Sequence, residues 1–495
     1  MSEFNTELAL DELQNGGGIL YPFRNGYQKL GDILNSIPPD AWRYNEAVLG
    51  GLVLYLVKQG QAARAKSYLR ARNLEIQKTY KFEFLELMVA LHLGEKINEK
   101  QLTVWRRLER KLPLQDTLLL GLYYNVMMAT FVRIGKLEEA KNAGQQAISC
   151  FREEGHSYLE HFIHIHLADL DVIEGRLRKA MRGLSTAKRC LANSGLSYGN
   201  EVEVIEIIEL AILYERGNFY KVRENSARLR ESLLKGDSWS ELFLQLTRIS
   251  VLSIYFTEGL QAAQEELEIF QADYVRRHAE RATTIDVLSA MIWRLEWHTS
   301  EAELNIKTLS YSDINSAIGS FLFADQQIIF GEKNDLKYSS PRGKIIEDLQ
   351  IAHSASGKKR RDAMERAFQN AIRESQIAPF LENRDAFLGM SSQIASISSI
   401  NRKPTMLRFV NKIMRAVNQS YTIPEFLSKI GFNRKQFMVS AALQAGSTNK
   451  QIARQLGIKE ATVKYHLTKM YKMVKVSKRS ELIDFMSKNK FFTII

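Results

Sequence analysis

Toward the C-terminus, Val463, Leu467, Met470 and Val474 recur at steps of four, three and four, the spacing that puts side chains on one face of a helix. Lys464, Tyr465, Thr468, Lys469 and Lys472 fall on the opposite face. A shorter inward set, Ile452, Ala453 and Leu456, precedes it, and Gly457 lies between the two. The pattern predicts two helices joined by a tight turn, with small Ala453 letting them approach closely, and a second helix that is apolar on one side and cationic on the other. That is the layout of a helix-turn-helix.

The pattern over the preceding four hundred residues is a repeat. Helical stretches are interrupted at Gly60, Gly94, Gly135, Gly175, Gly217 and Gly259, with separations of 34, 41, 40, 42 and 42 residues. Such a period predicts an array of helical hairpins. Ala65, Ala140 and Ala180 each lie five residues beyond a ladder glycine, where a small side chain allows the two helices of a hairpin to pack. A Gly-x-Ser-aromatic module recurs at Gly155 to Tyr158, Gly195 to Tyr198 and Gly236 to Trp239. In it, glycine is expected to end one helix, serine to cap the next, and the aromatic ring to fill the joint between hairpins.

Composition narrows the class. The chain has 495 residues, 45% hydrophobic and 25% charged, as in ordinary globular protein, and its length calls for two to four domains or a repeat array. Eight prolines suit long helices. The start, Met1-Ser2-Glu3-Phe4, has no basic, apolar leader, and no run reaches the ~18 apolar residues of a membrane span, so a cytoplasmic protein is expected. Charge is concentrated at one end. Residues 420 to 495 hold 14 Lys and Arg against 4 Asp and Glu, a net of +10. The whole chain is +12 (68 minus 56), which leaves residues 1 to 419 only +2 (54 minus 52). A basic domain behind nearly neutral material points to a polyanionic partner.

The residues carrying that charge resemble the LuxR-type (GerE-like) helix-turn-helix family over about 432 to 490. The matching positions are Gly446, Asn449, Lys450, Ile452, Ala453 and Leu456, then Thr462, Val463, Lys464, His466 and Leu467, then Val476 and Arg479. The resemblance implies a four-helix domain whose third helix enters the major groove. It places Lys464, Tyr465 and Thr468 toward bases, and Asn449, Lys450, Thr462, His466 and Arg479 at or near phosphates. Lys469 and Lys472, on the exposed face, join the phosphate group. A last helix from about Ser480 to Ser487 would supply a dimer contact through Leu482, Ile483, Phe485 or Met486, residues that equally suit a domain core. Two departures stand out. The acidic pair that usually opens the first helix is absent from Phe432 to Met438, although Asn433 remains as a cap. Lys459 stands where the third helix usually has a Ser or Thr cap, so about 1 kcal/mol of capping is expected to be missing unless a phosphate supplies the acceptor.

Upstream, the hairpins resemble tetratricopeptide repeats in a longer, roughly forty-residue form, over about Glu46 to Leu309. The stretch Phe368 to Glu382 resembles the segment closing the sensor region of MalT-type large LuxR regulators. Those regulators begin with an ATPase module, whereas this sequence has no Gly-x-x-x-x-Gly-Lys-Ser/Thr loop, and Gly16-Gly17-Gly18 lacks the lysine.

Other candidate chemistry is thinner. His156, His161, His164 and His166 cluster, with Glu160 four residues before His164. A metal is geometrically conceivable, but ordinary hydrogen-bonded histidines are the reading, and no metal or cofactor is expected. Cys150 and Cys190 occupy equivalent places in adjacent repeats; a redox pair is conceivable, but such positions usually lie too far apart for a disulfide without movement, and small core residues are the reading. Trp293 and Trp297, one turn apart, are core candidates or a ligand pocket. The charged run from Trp105 to Lys111 reads as a solvated helix face. No Gly-x-Ser-x-Gly, His-Glu-x-x-His or Cys-x-x-Cys motif occurs, so no enzyme is expected.

The expected architecture is all-α: residues 1–45 cap the array, 46–309 form tetratricopeptide-like repeats in a superhelix, 310–419 close the sensor region, 420–431 link, and 432–490 form the DNA-binding domain. The expected function is a sequence-specific bacterial transcriptional regulator, with activation implied by the resemblance. Its expected partners are double-stranded DNA, RNA polymerase, and a peptide, protein or small-molecule effector on the repeats, with a homodimer on DNA. The competing reading is an interaction scaffold with weak or no specific DNA binding.

Overall fold

A computed structural model describes residues 2–71, 79–95, 97–195, 200–235, 240–277, 340–355, 357–384, 403–419, 429–444, 446–456 and 458–488, with 285, 288, 289, 291, 292, 295, 397 and 400. Among these residues the chain is helical throughout and no helix is long and apolar enough to cross a membrane. Trp293, Trp297, Gly457, Pro424 and the second and third Ser-aromatic pairs lie outside the described residues.

The chain opens with α1 (Ser2–Asn15), α2 (Tyr21–Asn25) and α3 (Tyr27–Asn35), which fold over the first hairpin. Six hairpins follow: α4 (Glu46–Lys58) with α5 (Ala62–Arg70), α6 (Tyr80–His92) with α7 (Glu99–Leu108), and α8 (Thr117–Arg133) with α9 (Leu137–Glu153). The second three are α10 (Ser157–Ile173) with α11 (Leu177–Ser194), α12 (Glu201–Glu215) with α13 (Phe219–Lys235), and α14 (Ser240–Glu258) with α15 (Leu260–Arg277).

Every ladder glycine sits at a hairpin turn with φ between +70° and +102°. At the first five, the residue after the glycine donates its amide to a carbonyl five residues back, as in Gln61 to Leu56 and Arg176 to Asp171. This is the Schellman closure, which needs a left-handed residue at the turn and therefore favours glycine. Ala65, Ala140 and Ala180 are fully buried between paired helices.

The Gly-x-Ser-aromatic module works differently from expectation at its first copy. Gly155 ends α9 with φ +65°, and Tyr158 is buried with its hydroxyl donating to Glu201 at 2.6 Å, tying α10 to α12. The cap of α10, however, is His156, whose Nδ1 accepts the Leu159 amide at 3.3 Å. Ser157 is already the first helical residue, one position too late to cap. The ring's other nitrogen meets the Phe23 carbonyl at 2.6 Å, so His156 also fastens the N-terminal segment. In the charged run, Trp105 and Leu108 are buried while Arg106, Arg107 and Arg110 face solvent.

The closing segment, α16 (Pro341–Ser354), α17 (Gly357–Ile372) and α18 (Ala378–Glu382), packs against hairpin ends, and α19 (Pro404–Gln419) packs on α17 and α18. Backbone bonds fix it: the Arg342 amide donates to the Glu174 carbonyl at 3.0 Å and the Ile377 amide to the Glu215 carbonyl at 2.7 Å. Inside the joint lies a buried ionic group. Arg248 Nη2 bonds Glu215 at 3.1 Å and Glu382 at 3.0 Å, Arg342 Nε bonds Glu215 at 3.0 Å, and Arg342 Nη2 bonds Glu382 at 2.5 Å. Tyr214 adds its hydroxyl to Glu382 at 2.6 Å, and burial beside that carboxylate holds the phenol protonated. Two arginines against two carboxylates leave no net charge, the condition under which burying ions is tolerable.

Candidate nucleic-acid interface

The last domain comprises α20 (Arg434–Gln444), α21 (Asn449–Leu456), α22 (Glu460–Val474) and α23 (Arg479–Lys488). Its helix starts are written locally. Asn433 and Gln436 form a reciprocal cap on α20, with bonds of 3.0 and 2.8 Å, and Thr448 and Gln451 do the same on α21. Lys459 precedes α22 with no side-chain cap, as the sequence suggests. The turn between α21 and α22 is closed by the Ile458 amide donating to the Ala453 carbonyl at 3.0 Å.

The inward faces meet in one core. Ile452, Ala453, Val463, Leu467 and Met470 are buried with Phe437, Val439, Leu443 and Leu482. Burying that stripe turns the rest of α22 outward: Lys464, Tyr465, Thr468, Lys469 and Lys472 are all exposed, Tyr465 by 54%. Lys469 lies over the Tyr465 ring, 5.1 Å from its centre. Lys464 makes only an exposed contact with Glu460 at 3.4 Å, which contributes little and leaves the ammonium available. The Thr468 hydroxyl donates back to the Lys464 carbonyl at 3.0 Å, keeping its acceptor side outward. Lys450, Arg454 and Lys459 add exposed cations, and Thr462 is half-buried.

His466 and Arg479 stand apart from this face. His466 is only 7% exposed, and burial, then Lys435 and Lys469, depress its pKa, so the ring is neutral and is not a cationic phosphate clamp. Arg479 is half-buried, with Nη1 donating to Asn449 Oδ1 at 3.1 Å and Nη2 to the Ser447 carbonyl at 2.5 Å. It braces the start of α21 from α23. Leu482 and Met486 are buried in the domain core, so of the four dimer candidates only half-buried Ile483 and Phe485 retain surface.

Residues 433–486 match the family described as bacterial regulatory proteins, luxR family. Over 356 residues, 70% of this chain, the sequence is 19% identical to the HTH-type transcriptional regulator MalT of Vibrio parahaemolyticus serotype O3:K6 (strain RIMD 2210633). That match covers 34% of the relative, so the chain spans about a third of its length. No solved structure is significantly similar to the chain.

Proposed function

From a chain whose residues 433–486 are a luxR-family helix-turn-helix domain, we propose a sequence-specific transcriptional regulator whose helical repeats receive an effector and control DNA engagement by α22. The observation that carries this reading is the outward face of α22, where lysines flank a tyrosine and a threonine on a helix whose opposite side is locked into a core. Such a helix presents itself to a major groove without unfolding anything behind it.

In this mechanism Lys464, Tyr465 and Thr468 meet base edges, while Lys450, Lys469 and Lys472 neutralise phosphates. The uncapped amides at the start of α22 donate to a phosphate oxygen, completing the cap that Lys459 does not give. His466, Asn449, Thr462 and Arg479 act from behind this face as positioning residues. Two copies on neighbouring half-sites would meet through Ile483 and Phe485. The repeats at 46–309, with the closing helices behind them, supply the surface for a peptide, protein or small-molecule effector, and activation through RNA polymerase is the expected output.

The test is genome-wide occupancy of the tagged chain beside the Lys464→Ala, Thr468→Ala double variant, with titrations on a recovered fragment at two salt concentrations. Discrete sites sharing a motif, lost in a variant that melts normally, are expected, since each base contact contributes about 1–3 kcal/mol. Diffuse occupancy that fades with salt and ignores both substitutions would identify an interaction scaffold with a merely basic tail.

A further inference from the structure

Away from the DNA-binding domain, three different metal-ligating side chains converge where α9, α10 and α11 meet. Glu160 and His164 lie one turn apart on α10, with His164 Nε2 3.1 Å from Glu160 Oε1. Cys190, on α11, completes the set: one donor atom from each residue lies within 4.8 Å of the other two. Glu160 and Cys190 are buried and His164 is half-buried. The spacing of Glu160 and His164 is visible in the sequence, but Cys190 is twenty-six residues further on and arrives only because the hairpin folds back.

We propose that Glu160, His164 and Cys190 bind a zinc-class divalent cation that clamps α10 to α11. Tetrahedral zinc with bonds of about 2.0–2.3 Å holds its ligands ~3.3–3.8 Å apart, so side-chain shifts of about 1 Å close the site around the ion. One sulfur, one nitrogen and one oxygen donor favour zinc over magnesium or calcium, which take oxygen alone. Charge also balances, because a thiolate and a carboxylate neutralise a dication in a partly buried place. Binding replaces the Cys190 thiol proton, which leaves to solvent.

Arg152 is the competitor. Its Nε and Nη2 lie 2.8 and 2.7 Å from Glu160 Oε1, an ion pair on the same oxygen that His164 meets. Its side chain is 59% exposed and so is free to swing away when a dication arrives. Two other histidines of the cluster are engaged elsewhere: His156 caps α10 and His161 Nδ1 meets the Ala187 carbonyl at 2.8 Å.

Cobalt(II) titration of the reduced full chain tests the site directly, because a thiolate ligand gives a near-ultraviolet charge-transfer band. One equivalent of cobalt should produce the band, and zinc should abolish it. Cys190→Ser should remove it, while Cys150→Ser, at the half-buried second cysteine, should retain it. His164→Gln and Glu160→Gln should weaken cobalt affinity by at least about 10–100-fold, a loss already typical of groups behind the ligands. Arg152→Ala should tighten it. Absence of a band from the wild-type chain at saturating cobalt, or a band that survives Cys190→Ser, overturns the proposal whether or not any variant is unstable. DNA binding is read separately, so the site and the regulator reading stand or fall independently.

Discussion

Lys472 and Arg479 carry the same charge in the same domain, yet their surroundings predict opposite behaviour. Lys472 is exposed on the outward face of α22, so Lys472→Ala should leave stability within about 0.5 kcal/mol. It should weaken DNA binding at every sequence and reduce the salt slope by about one. Arg479→Ala instead breaks the bonds to Asn449 and Ser447, which should cost roughly 1.5–3 kcal/mol in a denaturant titration. A motif records both as basic positions; only the fold separates surface from brace. Two histidines add a pH dependence. Burial lowers the pKa of His161 and of His466 below the imidazole value of about 6.5 that the unfolded chain keeps. Above that value neither state is protonated at these rings. As pH falls through it the unfolded chain binds protons first, so stability declines until the lower folded values are reached. Urea midpoints measured between about pH 7.5 and 5.5 should show this fall, and His161→Asn and His466→Asn should each flatten it. An unchanged slope in both variants would sink the assignment.

Two turns, one at each end of α10, distinguish what an element needs from what its neighbours need. Gly155 has φ +65° with nothing within 4 Å of an added Cβ. Gly155→Ala should therefore cost only the left-handed backbone term, about 1–2 kcal/mol. Gly175 has φ +80° and an added Cβ would meet Gln376 Nε2 at 2.6 Å, Arg342 Cβ at 2.8 Å and the Arg342 amide nitrogen at 3.0 Å. Overpacking there adds ~1–3 kcal/mol to the same backbone term. Gly175→Ala should also expose α16 to limited proteolysis, and equal effects of the two substitutions would refute the distinction. The ladder was legible because a Schellman turn demands glycine locally, as at its first five positions. The joint was not, since Gln376 and Arg342 reach Gly175 from across the chain and follow no periodicity. The helix caps divide the same way. Asn433 is readable from a side chain three residues before its amide, whereas His156 takes the cap from Ser157 by also reaching Phe23. In the DNA-binding domain the exposed face of α22 followed from its apolar steps alone, while burial of His466 depended on α20 lying across it.

At the scale of the molecule, the buried group of Glu215, Arg248, Arg342 and Glu382 ties the closing segment to the repeats. It joins α12 and α14 of the array to α16 and α18, and α18 supports α19, the last described helix before the DNA-binding domain. Glu382→Gln leaves two buried guanidinium groups facing one carboxylate. Breaking such a pair on one side costs about 3–5 kcal/mol, far more than the intact group contributes, because the penalty is an uncompensated charge. Arg248→Met combined with Glu382→Gln restores neutrality and should cost less than the two single changes added together. Acid acts on the same carboxylate. The two arginines and the Tyr214 hydroxyl outweigh burial and hold the Glu382 pKa at about 2. Its contribution is thus complete above the unfolded glutamate value and is lost as pH falls from there toward about 2. Hydrogen exchange localises the consequence. In Glu382→Gln, amides of α16 to α19 should exchange faster while those of α4 to α9 keep their protection, because the group is built from residues of α12, α14, α16 and α18. A uniform rise across all hairpins would mean that the closing segment has no opening of its own. A rise confined to α16 to α19 would mean that the closing segment opens as a unit of its own.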